Sequence, residues 1–198
     1  MSTRPGHAPV EDAEEIDRVV PVIEALRARL DVPISIDTYK ADVAEAAIAA
    51  GATIVNDVWG FRADPRLARV TADHGLPCVL MHNRTAADPA IDIVDDVVRF
   101  LEGSLEIAVA AGVPQERIVL DPGIGFGKTA EQNHEVIRAA GRLRARFGLP
   151  LLYGVSRKSF IGRVTGRERT DDRLAGSLAV ATLLMAAGVE YIRAHDVA

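Results

Sequence analysis

Short apolar runs alternate with longer amphipathic stretches along this chain. Apolar side chains repeat at helical spacing from Ile16 to Leu30, and the short run 33–37 that follows ends on a carboxylate. Glycine closes most of the helical stretches, as a left-handed cap residue does. The succession continues to the last residues and predicts strands over 33–37, 52–57, 77–81, 117–120, 150–155 and 189–192, with further helices over 40–50, 65–74, 91–111, 131–147 and 171–187.

These strands predict an α/β fold of the TIM (β/α)8 barrel type. All six are short and apolar, as strands covered on both faces are, and every one ends in ionisable or amide side chains. An open doubly wound sheet concentrates its polar strand ends at one switch point, so the spread over all six strands favours a barrel. A complete barrel needs about 250 residues. We therefore expect the 198 residues to form one partial barrel domain, 1–198, with six strand–helix units.

The stretch 120–129 carries the most distinctive chemistry in the chain. Asp121 ends a β-branched run and is followed by Pro122 and three glycines spaced two apart. A phosphate-binding P-loop would need glycine at position 122, and a dinucleotide-binding fingerprint would need glycine in place of Lys128. Because glycines let the backbone approach a ligand closely, we interpret the stretch as a binding loop of another type.

Composition and charge narrow the class of protein. Hydrophobic residues make up 48% and charged residues 26%, which is typical of globular domains, and the net charge of −5 argues against nucleic-acid binding. The single cysteine, Cys78, excludes an internal disulfide and a cysteine metal cluster. No apolar run approaches the ~20 residues of a membrane span, and no secretory segment follows Met1. We expect a cytoplasmic protein that does not bind membranes.

Polar residues at the strand ends predict the kind of ligand. Carboxylate and amide acceptors suit a flat, nitrogen-rich heterocycle, whereas arginine, lysine and histidine suit a phosphate. His82 and His195 lie on different strands, so metal-ligand spacing is not evident for them. In a barrel the strand ends converge on one face, so a heterocycle that carries a phosphate is the inferred ligand, and the contributing residues are Arg4, Asp37, Asn56, His82, Asp121, Lys158, Arg193 and His195.

The same residues lie in motifs that resemble those of the dihydropteroate synthases, and the resemblance covers essentially the whole chain. Asp-Pro-Gly-x-Gly-Phe-Gly-Lys at 121–128 together with Ser-Arg-Lys-Ser at 156–159 is specific for that family. The other matching motifs are Ser-Thr-Arg-Pro-Gly at 2–6, Ile-Asp-Thr at 36–38, Val-Asn-Asp at 55–57, Leu-Met-His at 80–82 and Arg-Ala-His-Asp at 193–196.

The resemblance implies three groups of site residues. The pterin ring is expected to contact Asp37, Asn56, Met81, Asp121, Phe126 and Lys158. The diphosphate is expected to contact Arg4, Arg193 and His195. The p-aminobenzoate site, where sulfonamides compete, is expected to contain Thr3, Pro5 and Ser159.

The resemblance also implies the reaction. The family joins 6-hydroxymethyl-7,8-dihydropterin diphosphate to p-aminobenzoate and releases pyrophosphate, with Mg²⁺ assisting the leaving group. The departing pyrophosphate leaves a cation on the pterin methylene, which a carboxylate such as Asp37 would stabilise. Asp37 and Lys158 are therefore the expected catalytic residues. A homodimer through the later helices would fit the family.

The chain departs from the family pattern at its beginning. Family members start with two further strand–helix units, one of which supplies an asparagine for Mg²⁺, and they end with one more helix. We therefore expect no metal ligand within this chain and little activity from it alone. A non-catalytic pterin-binding fragment is the alternative, and a pterin-dependent methyltransferase ranks below it because that class needs neither Ser-Arg-Lys-Ser nor the closing Arg-x-His.

Overall fold

The computed structural model describes residues 10–197 as an α/β protein. Its helices and strands alternate along most of the chain, as the sequence predicts. The elements are α1 (Asp12–Arg27), β1 (Ser35–Asp37), α2 (Ala41–Ala49), β2 (Ile54–Asp57), α3 (Arg66–Asp73), β3 (Cys78–Met81), α4 (Ile93–Ala111), β4 (Ile118–Asp121), α5 (Ala130–Arg138), α6 (Ala140–Phe147), β5 (Leu152–Gly154), α7 (Ser159–Thr165), α8 (Leu174–Ala186) and β6 (Tyr191–Arg193). None of the described helices is both long and apolar enough to span a membrane.

The six predicted strands are present, and within each sheet they are arranged in chain order. Strands β1 to β4 form one sheet in chain order, and β5 pairs with β6 in a second. The pairs β1–β2, β2–β3 and β5–β6 are parallel. A parallel bridge between Leu120 and Leu151 also links β4 to the residue before β5. Each strand therefore lies beside its neighbour in sequence, as in the (β/α) succession predicted from the pattern.

The chain divides into two compact units. The first comprises the described residues through Met81 together with Leu101–Val119, and the second comprises His82–Phe100 and the described residues from Leu120 onward. The core of the first unit is made of small and β-branched side chains on α2 and the strands, including Val43, Ala44, Val55 and Leu80. The core of the second unit includes Ile93, Leu120, Ile124, Leu143, Leu151 and Tyr153.

The predicted helix over 131–147 is in fact two helices, and the interruption is at Ala139. Thr129 caps α5 through a reciprocal capping box with Gln132, which sets where this helix begins. The buried hydroxyl of Tyr153 donates to the carbonyl oxygen of Val136 at 3.2 Å, in the last turn of α5. A side chain that bonds a helical carbonyl interrupts the ladder of backbone hydrogen bonds. The contact is made by a distant residue, so the helical periodicity did not reveal it.

Two further differences lie on the helices. Residues 159–165, which the pattern left as a loop, form α7 and end at Gly166 in a left-handed conformation. On α1, Ile23 is buried as predicted, but Leu26 is 39% exposed and Leu30 lies beyond the helix end. The apolar repeat of this segment therefore overestimates its buried face.

Candidate active site

In the first unit, two neighbouring strands end side by side in polar residues. The register pairs Asp37 of β1 with Asn56 of β2, and the backbone N–H of Thr38 donates to the carbonyl oxygen of Asn56 at 3.1 Å. The Asn56 side chain is buried, while Asp37 is partly open to solvent. A carboxylate beside an amide can accept from and donate to the edge of a planar ring. For these two residues the predicted meeting of strand ends is confirmed.

Asp57, the next residue, shapes the loop after β2. Its Oδ1 accepts from the backbone N–H of Trp59 at 2.8 Å, and its Oδ2 accepts from that of Phe61 at 2.7 Å. Burial raises the pKa of Asp57 to about 6, because the ionised form is desolvated. Phe61 has a left-handed backbone with φ of 65°. Both carboxylate oxygens therefore serve the turn that contains Trp59, and Asp57 is a structural residue.

A buried ion pair behind β1 was not predicted from the sequence. Glu15 of α1 is 1% exposed; it accepts from the hydroxyl of Thr38 at 3.2 Å, and its other oxygen lies 3.2 Å from Nζ of Lys40. Burial lowers the pKa of Lys40, but its hydrogen bonds with Asp12 and Glu15 outweigh that effect and raise it overall. The signal was available, because Glu15 lies eight residues before the buried Ile23, on the same stripe of α1.

In the second unit, Asp121 lies where β4 turns into the glycine-rich loop. Its Oδ1 accepts from the backbone N–H of Gly123 at 2.7 Å, and its carbonyl oxygen accepts from the N–H of His82 at 2.9 Å. Burial raises the pKa of Asp121, although the Gly123 hydrogen bond and the positive charges of Lys158 and Arg193 act in the opposite direction. A buried carboxylate whose orientation is fixed by the backbone is a suitable acceptor for a heterocycle.

Two of the three loop glycines serve the chain's own packing. A Cβ atom at Gly123 would overlap the carbonyl oxygen of His82, and one at Gly127 would lie 2.5 Å from the carbonyl oxygen of Arg84. A Cβ atom at Gly125 would instead lie 3.3 Å from Cδ of Lys158, a side-chain atom. Gly123 and Gly127 are therefore needed for contacts within the chain, and close approach of a ligand to this loop stays a prediction. These residues bring the loop against the segment that follows β3.

Lys128, which the sequence interpretation left without a role, fastens this loop. Its Nζ donates to the carbonyl oxygens of Gly123 at 2.8 Å and Phe126 at 3.2 Å, and it lies 2.7 Å from Nδ1 of His82. Burial lowers the pKa of Lys128 to about 7. The lysine closes the loop on itself and joins it to His82.

His82 is held by protein groups at both ring nitrogens. Nδ1 faces Lys128, and Nε2 lies 3.2 Å from Oδ2 of Asp96, which also accepts from Arg84 at 2.7 Å. Burial lowers the pKa of His82 to about 3, and the ring is therefore neutral near pH 7. With Nδ1 accepting from Lys128, the proton lies on Nε2 and is donated to Asp96. The structure thus gives His82 a structural role.

Three of the predicted anion-binding residues line one pocket in the second unit. The pocket has a volume of about 350 Å³ and is lined by Gly154, Ser156, Lys158, Arg193, Ala194 and His195. Lys158 donates to the carbonyl oxygen of Ile124, and its Nζ lies 4.7 Å from the centre of the Phe126 ring. Burial lowers the pKa of Lys158 to about 8. The grouping of Lys158, Arg193 and His195 is confirmed.

A hydroxyl orients one side of this pocket. Oγ of Ser156 accepts from the backbone N–H of His195 at 3.2 Å and lies 3.0 Å from Nδ1 of the same residue. The pocket therefore combines a lysine, an arginine and an oriented imidazole. This is the chemistry of a phosphate or pyrophosphate site.

The remaining predicted site residues are distributed as follows. Met81 ends β3 and is buried, Phe126 is 8% exposed, and Ser159 is the exposed first residue of α7. Thr3, Arg4 and Pro5 lie outside the described residues. Within 10–197 there is no group of three histidine, cysteine, aspartate or glutamate side chains that could hold a metal ion. The described residues therefore do not form a magnesium site on their own.

Comparison with known proteins gives one consistent family. The model of the pterin binding enzyme family matches residues 1–195. The dihydropteroate synthase of Clostridium beijerinckii is 46% identical over 197 residues, which is 99% of this chain and 72% of that protein.

Two solved structures are similar over nearly all of this chain. A dihydropteroate synthase from Clostridium difficile in the presence of pteroic acid has a TM-score of 0.94 and 48% identity, and covers 99% of this chain and 74% of its own. The dihydropteroate synthase of Xanthomonas albilineans with 4-aminobenzoic acid has a TM-score of 0.94 and 43% identity, with shares of 99% and 71%. The predicted fold class, α/β of the TIM-barrel type, and the predicted resemblance are confirmed.

Proposed function

This chain belongs to the pterin-binding enzyme family, among its dihydropteroate synthases, and from that premise we propose which of its residues carry each step. The enzyme is a transferase of folate biosynthesis. It joins 6-hydroxymethyl-7,8-dihydropterin diphosphate to p-aminobenzoate and forms 7,8-dihydropteroate and pyrophosphate. What remains to be assigned is the role of each side chain.

The observation that carries the assignment is the cationic pocket of the second unit. We assign the diphosphate to Arg193, His195 and Lys158, which line it together. As the bond between the pterin methylene and the diphosphate oxygen breaks, negative charge grows on the leaving oxygen. Fixed positive groups stabilise that charge without having to reorganise. Arg4, in the N-terminal segment, is assigned to the same anion.

The pterin ring is assigned to three acceptors on the resemblance to the family. Asp37 and Asn56 are register neighbours at two strand ends. Asp121 is the third acceptor, with its carboxylate oriented by Gly123. Carboxylates can accept two N–H groups from an amino-substituted ring edge. Apolar contact with the ring is assigned to Met81 and Phe126.

One carboxylate and the arylamine complete the proposed chemistry. Loss of pyrophosphate leaves positive charge on the pterin methylene, and we assign its stabilisation to the carboxylate of Asp37. The amino nitrogen of p-aminobenzoate then forms the new C–N bond and loses a proton to solvent. Positioning of the arylamine matters more than a strong base here. Ser159, with Thr3 and Pro5 of the N-terminal segment, is assigned to the p-aminobenzoate site.

Asp121→Asn tests the pterin assignment directly. The variant keeps the side-chain shape but replaces a charged acceptor by an amide, which weakens a charge-assisted hydrogen bond by about 2 kcal/mol. We expect the Kd of 6-hydroxymethyl-7,8-dihydropterin, measured by calorimetry, to rise about 30-fold. Pyrophosphate binding in the pocket of Arg193 should stay within about threefold of wild type and serves as the control for folding. Unchanged pterin affinity would remove Asp121 from the site.

Turnover by the 198-residue chain tests the function itself. The two substrates should yield 7,8-dihydropteroate and one pyrophosphate per turnover, measured by chromatography. Tight pterin binding without product would instead identify a non-catalytic pterin-binding chain.

Mg²⁺ is proposed to enter with the substrate. The described residues do not fit a metal site, and none of the steps above passes through the ion. Magnesium is often held chiefly by substrate phosphates with few protein ligands. Removal of Mg²⁺ with a chelator is therefore expected to lower turnover at least tenfold while pterin affinity stays unchanged. Full turnover in excess chelator would exclude the ion.

A homodimer is proposed from the surface of α8. This helix is almost entirely apolar, yet Leu178 is 56% exposed and Leu183 and Met185 are each 66% exposed. Large apolar side chains that are exposed on one helix favour an interaction surface. Sedimentation equilibrium should give twice the chain mass, and Leu183→Glu should shift the equilibrium to monomer. A monomeric wild type at micromolar concentration would contradict the proposal.

A cytoplasmic location is proposed from the lone cysteine. Burial raises the pKa of Cys78 to about 12, so the thiol is neutral and poorly reactive. An unpaired thiol of this kind suits a reducing compartment. Recovery of the protein in a membrane or periplasmic fraction would contradict this proposal.

A further inference from the structure

Arg157, between the pocket residues Ser156 and Lys158, contacts the chain terminus and not the pocket. Its Nε lies 3.0 Å from Oδ2 of Asp196, and its Nη2 lies 2.5 Å from Oδ1. This is the two-pronged pairing of a guanidinium with a carboxylate, which fixes geometry as well as contributing energy. The Arg157 side chain is 25% exposed and that of Asp196 is 29% exposed. The pair is thus partly shielded from solvent.

The surroundings hold Arg157 in an unusual conformation. Its backbone is left-handed, with φ of 57°, a region that non-glycine residues seldom occupy. The N–H of Arg157 donates to Oγ of Ser177 at 2.8 Å, and its carbonyl oxygen accepts from Arg173 at 3.0 Å. Such a conformation persists when neighbouring groups over-determine it, as they do at functional sites. The backbone of Arg157 is therefore fixed, and this sets the direction in which its guanidinium extends toward Asp196.

The same short segments contain the pocket residues. Ser156 binds His195, Arg157 binds Asp196, and Lys158 lines the pocket with Arg193 and His195. β6 ends at Arg193, so the residues after it have no strand pairing to hold them. Their described side-chain contacts are those with Ser156 and Arg157. The position of His195 therefore depends on the contacts of its segment with Ser156 and Arg157, whereas Arg193 is held by its strand pairing with Gly154.

We propose that Arg157 and Asp196 form a positioning pair that holds His195 in place for the diphosphate. The proposal rests on the assignment of the diphosphate to this pocket. Neither residue of the pair needs to touch the substrate. Their contribution is the fixed placement of the His195 imidazole, and misplacement by about 1 Å from a remote change can cost as much as 100-fold in rate.

The test is calorimetric titration of the 198-residue chain with pyrophosphate, and separately with 6-hydroxymethyl-7,8-dihydropterin. The variants are Arg157→Gln, Asp196→Asn and the double variant. Asp196→Asn exchanges a single side-chain atom and keeps the shape of the side chain, so it keeps the test available if Arg157→Gln does not fold. The matched control is Asp171→Asn, because the exposed Asp171 also bonds Arg157, at 3.0 Å, but belongs to another segment.

The expected result is specific to the anion. Each single variant should weaken pyrophosphate binding on the order of tenfold, and the double variant should be no weaker, because both substitutions break the same contact. Pterin affinity should stay within about twofold, and Asp171→Asn should match wild type. The proposal would be overturned if Asp196→Asn bound pyrophosphate as wild type does. It would also be overturned if the losses of pyrophosphate affinity multiplied in the double variant, or if pterin affinity fell as much as pyrophosphate affinity.

Arg193→Ala separates this proposal from the function on which it rests. Wild-type pyrophosphate affinity in Arg193→Ala would remove the diphosphate from this pocket, and with it the basis of the positioning pair. Loss of affinity in Arg193→Ala, together with wild-type affinity in Arg157→Gln and Asp196→Asn, would leave the pocket assignment intact and overturn the positioning pair alone.

Discussion

Replacement of Lys158 by methionine is expected to lower kcat/KM for the pterin diphosphate on the order of 1000-fold. Lys158 lines the cationic pocket, and its Nζ is held by the carbonyl oxygen of Ile124 above the ring of Phe126. Methionine keeps the length and apolar stem of the side chain but removes the charge that would meet the leaving pyrophosphate. Steady-state kinetics with both substrates varied measures the effect.

The pH dependence of kcat/KM tests whether the charge of Lys158 causes the loss of activity expected in Lys158→Met. Burial lowers the pKa of Lys158 to about 8, and kcat/KM reports the groups of the free enzyme. Lys158 is protonated below that pH and neutral above it, so wild-type kcat/KM should fall as the pH rises through about 8. Lys128, with a pKa of about 7, is present in all variants and does not account for a difference between them.

Lys158→Arg is the matched variant for this profile. Arginine stays charged, so the fall above pH 8 should disappear even if the changed geometry lowers the rate. A methionine variant with the wild-type rate, or a wild-type kcat/KM that is flat from pH 7 to 9, would show that the lysine charge takes no part in the reaction.

Gly123→Ala is expected to lower the free energy of unfolding by about 3 to 5 kcal/mol. A Cβ atom at this position would overlap the carbonyl oxygen of His82, and a backbone atom cannot move aside as the end of a side chain can. Gly123 also has a φ of 70°, which costs an L-residue about 1 kcal/mol. Urea denaturation at pH 7 measures the change.

Gly148→Ala separates the cost of the overlap with His82 from the cost of the left-handed backbone. Gly148 has a φ of 62°, but no atom lies within 4 Å of the position that its Cβ would take. We expect this control to lose only about 1 to 2 kcal/mol, the cost of the left-handed backbone alone. Equal losses at the two positions would mean that the contact with His82 does not determine the conformation of the loop.

The repeating pattern was a good guide to the elements and a poorer guide to their interruptions. The six strands and their parallel order follow from short apolar runs that end in polar residues, because that pattern depends on local period and burial. The break at Ala139 and the short helix α7 do not. At the break, the hydroxyl of Tyr153, a residue distant in sequence, bonds the carbonyl oxygen of Val136 and competes with the helical hydrogen bonds.

Candidate site residues were identified by type and position, but some of their partners were not. Lys158, Arg193 and His195 were grouped correctly, since cations at neighbouring strand ends have few other uses. The structural ion pairs and hydrogen bonds of Lys128, Glu15 and Arg157 were not predicted, because their partners lie far away in the sequence. His82 remained ambiguous for the same reason, until both of its ring nitrogens were seen to be held by Lys128 and Asp96.

By itself, the sequence determined the class of fold and the family, and it predicted a set of candidate site residues. Period, strand-end polarity and motif spacing are local properties that any reader of the chain can measure. Only the tertiary structure showed that Gly123 and Gly127 leave room for carbonyl oxygens of the chain itself. It also showed that the Asp57 carboxylate accepts hydrogen bonds within a turn and that Arg157 binds Asp196. The physical reason is that each of these roles depends on which atom lies within about 3 Å, and folding brings together atoms that are distant along the chain.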